Sequence, residues 1–159
     1  MQYRIRDAQP NDIAEIIRLC AEHAEFKQAQ YSTEGKAEKL AAHLFSDAPD
    51  LFCLLVESVD GEVLGYATFM REFSTWDAEF YLHMDCLYLR PHARNRGIGE
   101  ALMRAIAAQA KQLHCSQMQW QTPAFNQRAL QFYERLGASA KEKIRLYLNE
   151  QAIEALQRE

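Results

Sequence analysis

Long apolar runs are absent from this sequence. No stretch approaches the roughly 20 apolar residues that a membrane-spanning helix needs, and the amino terminus MQYRIRDAQPND has no apolar signal core. The 159 residues include 6 glycines and 4 prolines, with no Pro/Gly/Ser-rich linker, low-complexity tract or internal repeat. We therefore expect a soluble protein with no membrane partner, folded as a single domain spanning residues 1–159.

Basic charge and cysteine motifs are also scarce. The formal net charge is -4, which disfavours a nucleic-acid partner because phosphate binding requires an excess of Lys and Arg. The 4 cysteines lie far apart and form no CxxC, which favours buried thiols over a zinc site or a disulfide framework. They are Cys20, Cys53, Cys86 and Cys115. The sequence thus predicts no metal and a reducing, cytoplasmic location.

Hydrophobic periodicity predicts alternating strands and helices. Strands are expected over Tyr3–Arg6, Leu51–Glu57, Val63–Met70, Glu79–Leu89, Ser116–Gln121 and Ile144–Leu148. Helices are expected to begin near Pro10, Thr33, Ile98 and Asn126, with a helical tail over Glu150–Leu156. Strands first, then alternating helices and strands, indicate a mixed sheet with helices on its faces.

The segment RPHARNRGIG, just before the third helix, is typical of an anion site. Unpaired N–H groups and the positive end of a helix dipole meet there. Gly97 and Gly99 would let a ligand approach the backbone, and Arg94 and Arg96 add donors suited to a pyrophosphate. A GxGxxG dinucleotide motif is excluded because its third glycine would fall on Leu102. The alternative is a tight turn with solvated arginines.

The run RNRGIG resembles the R/Q-x-x-G-x-G/A motif of the GNAT superfamily of N-acetyltransferases. DLFCLLVE, VLGYATF and NQRALQFYERLGA extend the resemblance over most of the chain, and spermidine/spermine N-acetyltransferase-like members are the most similar. The resemblance implies an α/β (α+β) fold, with a mixed, mostly antiparallel central sheet of about six to seven strands flanked by about four helices. It also implies direct transfer of acetyl from acetyl-CoA to an amine.

The resemblance further implies which residues bind acetyl-CoA. Backbone groups near the end of the fourth strand would hold the pantetheine arm, the glycine turn would surround the pyrophosphate, and the fourth helix would line the rest of the groove. The implied residues are Leu87, Tyr88, Leu89, Arg94, Asn95, Arg96, Gly97, Ile98, Gly99, Glu100, Asn126, Ala129 and Leu136.

Two residues are candidates for proton transfer. Asp85 interrupts the largely apolar strand FYLHMDCLYL, where a buried carboxylate is costly unless paired or functional, so it is the candidate base. A structural carboxylate is the alternative, and His83 is a second possible base. Tyr133 is typical of a core aromatic by pattern alone. The resemblance assigns it as the general acid, whereas Cys86 is expected to pack on the opposite sheet face from Asp85.

The resemblance implies a small-molecule amine as the acceptor: a polyamine, a lysine-like amino acid or another amine. Carboxylates suited to a polycation are Glu22, Glu25, Asp77, Glu79 and Asp85. The candidate acceptor residues are Phe26, Trp76, Asp85, Trp120 and Gln121. Lys27, however, stands where polyamine members have an acid, and it would repel a polycation if its side chain pointed inward.

Two further functions are compatible with the same fold. One is a non-catalytic module that binds or senses acyl-CoA, and the other is a protein N-acetyltransferase. A pure binder needs the glycine turn alone, so the presence of Asp85 and Tyr133 favours catalysis. Resemblance to dimeric relatives predicts a homodimer, with Ile144–Leu148 and the tail Glu150–Leu156 as a possible interface.

Overall fold

A five-stranded mixed sheet forms the centre of the protein in the computed structural model, which describes residues 2–158. The strands are β1 (Tyr3–Asp7), β2 (Phe52–Ser58), β3 (Val63–Ser74), β4 (Glu79–Leu89) and β5 (Gln117–Gln119). They lie in the order β1-β2-β3-β4-β5; β1 to β4 are antiparallel, and β5 is parallel to β4. The predicted mixed, mostly antiparallel sheet is confirmed. The expected six to seven strands were too many for the part of the chain described.

The helices agree closely with the sequence pattern. They are α1 (Ile13–Phe26), α2 (Lys36–Leu44), α3 (Ile98–Gln112), α4 (Gln127–Arg135) and α5 (Glu150–Gln157), with short 3-10 helices at Pro10–Asp12 and Pro91–Ala93. The four expected helices and the expected helical tail are therefore present. Across residues 2–158, no helix combines the length and apolarity needed to cross a membrane.

The core encloses both faces of the sheet. Along β2, consecutive residues from Cys53 to Val56 are buried, as expected for a strand covered on both sides. Ile16 and Leu19 of α1 pack with Leu55 in one cluster. The helix α3 contacts β2, β4 and β5 and buries its own apolar stripe, Ile98, Leu102, Met103, Ile106 and Ala110.

A glycine fixes the spacing between β3 and β4. A Cβ atom at Gly65 would lie 2.3 Å from the carbonyl oxygen of Tyr88 and 2.6 Å from the Leu89 side chain. No other residue fits there without moving backbone. Gly65 thus holds the carboxyl end of β4 tightly against β3, directly before the glycine turn.

The chain divides into two compact units, one up to Gln121 and one from Thr122 onward. The second unit contains α4 and α5. The predicted strand over Ile144–Leu148 is wrong, since this segment has no regular secondary structure. Its large apolar residues are exposed, Ile144 by 89% and Tyr147 by 87%. Alternating apolar residues indicate strand potential, but a strand forms only when another strand accepts its backbone hydrogen bonds.

Candidate active site

The turn between β4 and α3 has the backbone of an anion site. Gly97 is the N-terminal cap of α3 with φ +76°, and Asn95 has φ +60°. Such values are easy for glycine and tolerated by asparagine. A Cβ atom at Gly97 would meet no atom within 4 Å, so the space above the turn is open. The first N–H groups of the 15-residue helix α3 face this space, where the helix dipole attracts negative charge.

The two arginines of the turn have different positions. Nε of Arg94 donates to the Leu89 carbonyl at 2.8 Å, and its guanidinium carbon lies 4.4 Å from the centre of the Phe26 ring. Arg94 therefore connects the turn to the end of α1. Arg96 donates from Nε to the His92 carbonyl at 3.0 Å and is exposed. It is the better placed of the two to meet an anion arriving from solvent.

Arg90 anchors the start of the turn. Its guanidinium donates to Glu22 at 2.7 Å and 3.0 Å, to Glu15 at 2.8 Å and to the Val63 carbonyl at 2.7 Å. The hydrogen bond from Arg90 holds the pKa of Glu22 below its usual range, and Glu22 in turn raises the pKa of Arg90. These ion pairs fix α1 against the residue that begins the turn.

A bulge places Asp85 in β4. Thr68 pairs with Cys86 and Phe69 pairs with Met84, so Asp85 is the additional residue of β4 between two ladder positions. Cys86 was expected on the opposite sheet face from Asp85 because side chains alternate along a regular strand. The bulge interrupts that alternation, and the Cys86 sulfur lies 3.6 Å from Oδ2 of Asp85. Asp85 is also exposed rather than buried, which corrects the expectation from its apolar neighbours.

The sheet opens beside this bulge. Pairing of β5 with β4 is recorded from Tyr81 to His83 within the described chain, whereas β4 continues to Leu89. Backbone groups beyond His83 on that side of β4 are therefore not used by β5. An opening next to Asp85 that leads to the glycine turn is suited to an extended ligand arm.

Aromatic residues lie beneath the end of α1. The His23 ring stacks on Tyr88 with centroids 5.1 Å apart, and its Nδ1 is hydrogen-bonded to the Tyr66 hydroxyl at 3.1 Å. The Phe26 ring centroid is 6.3 Å from that of Tyr88. Burial lowers the pKa of His23 to about 4, with a further contribution from the charge of Lys27, so the imidazole is neutral at pH 7.

The second unit carries the predicted residues of α4. Asn126 caps α4 because its Oδ1 accepts the Ala129 N–H at 3.2 Å, as the sequence predicted. Gly137, with φ +89°, donates to Glu134, and Ala138 donates to the Tyr133 carbonyl, which closes the helix as a Schellman motif. The Tyr133 side chain is half-buried, and burial raises its pKa.

Comparison with known proteins identifies the family. Residues 13–138 match the model of the acetyltransferase (GNAT) family. The chain belongs to the GNAT acetyltransferase family. Thialysine N-epsilon-acetyltransferase of Bos taurus is 32% identical over 141 residues, covering 84% of this chain and 82% of that protein.

A second relative also has an acetyltransferase name, and a solved structure shares the fold of this GNAT chain. Spermidine/spermine N(1)-acetyltransferase-like protein 1 of Homo sapiens is 25% identical over 142 residues, covering 86% of this chain and 20% of that protein. Integron cassette protein VCH_CASS6 from the mobile metagenome of V.cholerae has a TM-score of 0.74 at 24% identity, covering 100% of this chain and 99% of that one, and supports the fold alone. The family and enzyme class predicted from RNRGIG are confirmed.

The structure places the residues predicted for this GNAT site in several settings. Leu87, Tyr88 and Leu89 end β4, with the Leu89 carbonyl already accepting from Arg94. Glu100, in the first turn of α3, accepts from Arg104 at 2.7 Å. The remaining predicted residues lie elsewhere: Ile98 buried and Gly99 half-buried at the start of α3, Leu136 at the end of α4, Trp76 95% exposed in the β3–β4 turn, and Trp120 and Gln121 after β5.

Arg90 and Gly65 were missed by the sequence reasoning. A signal for Arg90 exists in the sequence, because Glu15 and Glu22 lie two helical turns apart and so share one face of α1. Two acids on one face predict a cationic partner. Gly65 offered a weaker signal, a lone glycine inside a strand pattern. Among the described residues, no group of three or more His, Cys, Asp or Glu is arranged to hold a metal ion.

Proposed function

We propose that this GNAT enzyme transfers acetyl from acetyl-CoA directly to a primary amine of a small molecule. The observation that carries the proposal is the open, left-handed Gly97 at the N-terminus of α3, beside the opening between β4 and β5. This geometry fits a pyrophosphate followed by an extended pantetheine arm. Acetyl-CoA supplies the activated acyl group as a thioester.

The turn binds the coenzyme through backbone and arginine donors. N–H groups from Asn95 to Glu100 surround the pyrophosphate, and Arg96 adds charge from its exposed position. Arg94 donates to the Leu89 carbonyl and lies over the ring of Phe26, a candidate acceptor residue, so it stabilises the turn. Backbone groups of Leu87 to Leu89 complete the proposed coenzyme site of the first unit. In the second unit, Asn126, Ala129 and Leu136 stay predicted coenzyme-binding residues.

Two side chains manage protons in this proposal. An alkylammonium with a pKa of about 10.4 must lose a proton before its nitrogen attacks. Asp85 accepts that proton through water, since its carboxylate is exposed at the bulge. Tyr133 donates a proton to the departing thiolate and regains one from the nitrogen, which loses its second proton as the amide forms. Burial keeps the Tyr133 hydroxyl protonated at neutral pH by raising its pKa. His83, half-buried and 3.9 Å from Glu72, is the alternative base.

The relatives guide the choice of acceptor. One is named for thialysine, an amino acid with a side-chain amine, and another for spermidine and spermine. We assign this chain to small amines of these classes, with Phe26, Trp76, Trp120 and Gln121 as candidate acceptor residues. The free state of all four cysteines favours a reducing compartment such as the cytoplasm, and the exposed apolar segment around Leu146 favours a homodimer.

Thiol release from acetyl-CoA tests the proposal. The panel contains thialysine, lysine, ornithine, spermidine, an aminoglycoside and short peptides, each with wild type and Tyr133→Phe. We expect release with one amine class and a fall of about 10²-fold or more in kcat for the variant, with acetyl-CoA affinity unchanged within about threefold.

Other outcomes would redirect the assignment. Calorimetric binding of acetyl-CoA without release with any amine would contradict the proposal and favour an acyl-CoA-sensing module. Release with peptides alone would favour a protein N-acetyltransferase. Unchanged turnover in Tyr133→Phe would remove the tyrosine from the acid role.

A further inference from the structure

Part of the acidic charge of α1 is already engaged in ion pairs. Glu22, an acid of α1 that the sequence suggested as a partner for a polycation, is neutralised by Arg90. Arg90 also donates a hydrogen bond to Glu15. Asp77 accepts from the Ser74 hydroxyl at 2.9 Å in the β3–β4 turn. Glu22 is therefore withdrawn from the expected supply of acids, whereas Glu25, Glu79 and Asp85 are exposed. A substrate with several ammonium groups has fewer partners than the composition indicated.

Lys27 introduces the opposite charge at this end of α1. It follows Phe26 directly, and its N–H donates to the His23 carbonyl at 3.1 Å, which makes it the C-terminal cap of the helix. Its side chain is exposed, and no ion pair to a carboxylate is recorded for it within residues 2–158. Arg4, Arg6 and Arg90, in contrast, all have acidic partners.

The electrostatic environment of His23 includes charges from three different parts of the fold. The charges of Lys27 and Arg94 oppose protonation of His23, whereas the charge of Asp85 favours it, so all three lie within electrostatic range of that ring. The Arg94 guanidinium also lies over the ring of Phe26, the residue that precedes Lys27 in the sequence. Positive charge at the helix end and negative charge at the bulge match the two ends of a zwitterion.

We propose that Lys27 is a specificity residue, which binds the carboxylate of the acceptor and directs the enzyme to amino acids with a side-chain amine rather than to diamines and polyamines. The inference rests on the proposed function and adds to it the reason for acceptor choice. Lys27 stays bound to the carboxylate throughout the reaction, so its contribution is uniform binding, which appears in KM more than in kcat.

Lysine and cadaverine form a matched pair of probes, because they differ in the carboxylate alone. The measured quantity is the ratio of kcat/KM for lysine to kcat/KM for cadaverine. Wild type is compared with Lys27→Gln, Lys27→Glu and Lys27→Arg, and with Lys39→Glu, which makes the same charge change at an exposed position of α2. The KM for acetyl-CoA is measured for every variant, so that an effect on coenzyme binding is recognised.

The expected result is a ratio well above one for wild type. Lys27→Gln should lower the ratio by about five- to tenfold, and Lys27→Glu by about tenfold or more because it adds repulsion. Lys27→Arg should keep the ratio within about twofold of the wild-type value, and Lys39→Glu should leave the ratio unchanged. The change should come from the KM for lysine, with acetyl-CoA KM constant.

Failure of the specificity role and failure of the enzyme are distinguishable. A wild-type ratio at or below one, or an equal ratio in Lys27→Glu with acetyl transfer intact, would overturn the role of Lys27 and leave the enzyme standing. Absence of transfer from wild type to thialysine, lysine and cadaverine alike would overturn the proposed function and the inference with it.

Discussion

Acidification should destabilise this protein through His23, which folding keeps neutral. A histidine in the unfolded chain has a pKa of about 6.5, whereas burial against Tyr66 and Tyr88 lowers the pKa of His23 to about 4. Between these values the unfolded chain binds more protons than the folded chain. The contribution of His23 to the free energy of unfolding is therefore fully present above the pKa of the unfolded state. It is lost as the pH falls toward the pKa of His23 in the folded state.

The size of the loss follows from the two pKa values. Between pH 7.5 and pH 5, linkage gives a decrease of about 2 kcal/mol in the free energy of unfolding from His23. The carboxyls of Asp12 and Glu22 have lowered pKa values because of their arginine partners, so their contributions are lost at more acidic pH, below their unfolded values. The window from pH 7.5 to pH 5 thus reports mainly on histidine.

Urea unfolding followed by circular dichroism measures this loss. His23→Gln keeps a polar partner for the Tyr66 hydroxyl but does not titrate, so it is the matched reference. We expect wild type to lose about 2 kcal/mol more than His23→Gln between the two pH values. Equal losses in the two proteins would show that His23 is not a neutral buried group and would refute the reasoning.

Two further substitutions test the site itself. Gly97→Glu places bulk and negative charge in the proposed anion site, so it should weaken acetyl-CoA binding by about 100-fold or more in calorimetry. Gly61→Glu is the control, because Gly61 also has a positive φ, +84°, and open space around its Cβ position. This variant should share the backbone strain of about 1–2 kcal/mol but bind acetyl-CoA normally. Wild-type affinity in Gly97→Glu would remove the pyrophosphate from this turn. Asp85→Asn should lower kcat by about 10²-fold with acetyl-CoA affinity kept, and a larger loss in His83→Gln would make the histidine the base.

Local pattern was enough to predict much of the first unit. The strand Glu79–Leu89 and the start of α3 at Ile98 are where the sequence predicts them, because apolar periodicity and the glycine turn are both local signals. The cap at Asn126 is likewise a local property. The β2–β3 hairpin around Gly61 follows from an Asp-Gly turn between two apolar runs.

Features that depend on distant partners were not predictable in the same way. The expected burial of Asp85 came from its apolar neighbours, and nothing local shows that a bulge against Thr68 and Phe69 leaves it exposed. The segment Ile144–Leu148 has a strand pattern without a pairing strand. Arg90 meets glutamates that are 68 and 75 residues away along the chain, a separation that single-sequence periodicity does not span.

The Arg90 ion pairs have a kinetic consequence for the proposed binding of the coenzyme at this turn. They hold the beginning of the turn to α1 and to the Val63 carbonyl. A preorganised loop removes most of the ordering entropy that association otherwise costs. Coenzyme analogues should accordingly share similar association rates, and differences in their affinity should reside in how long each one stays bound.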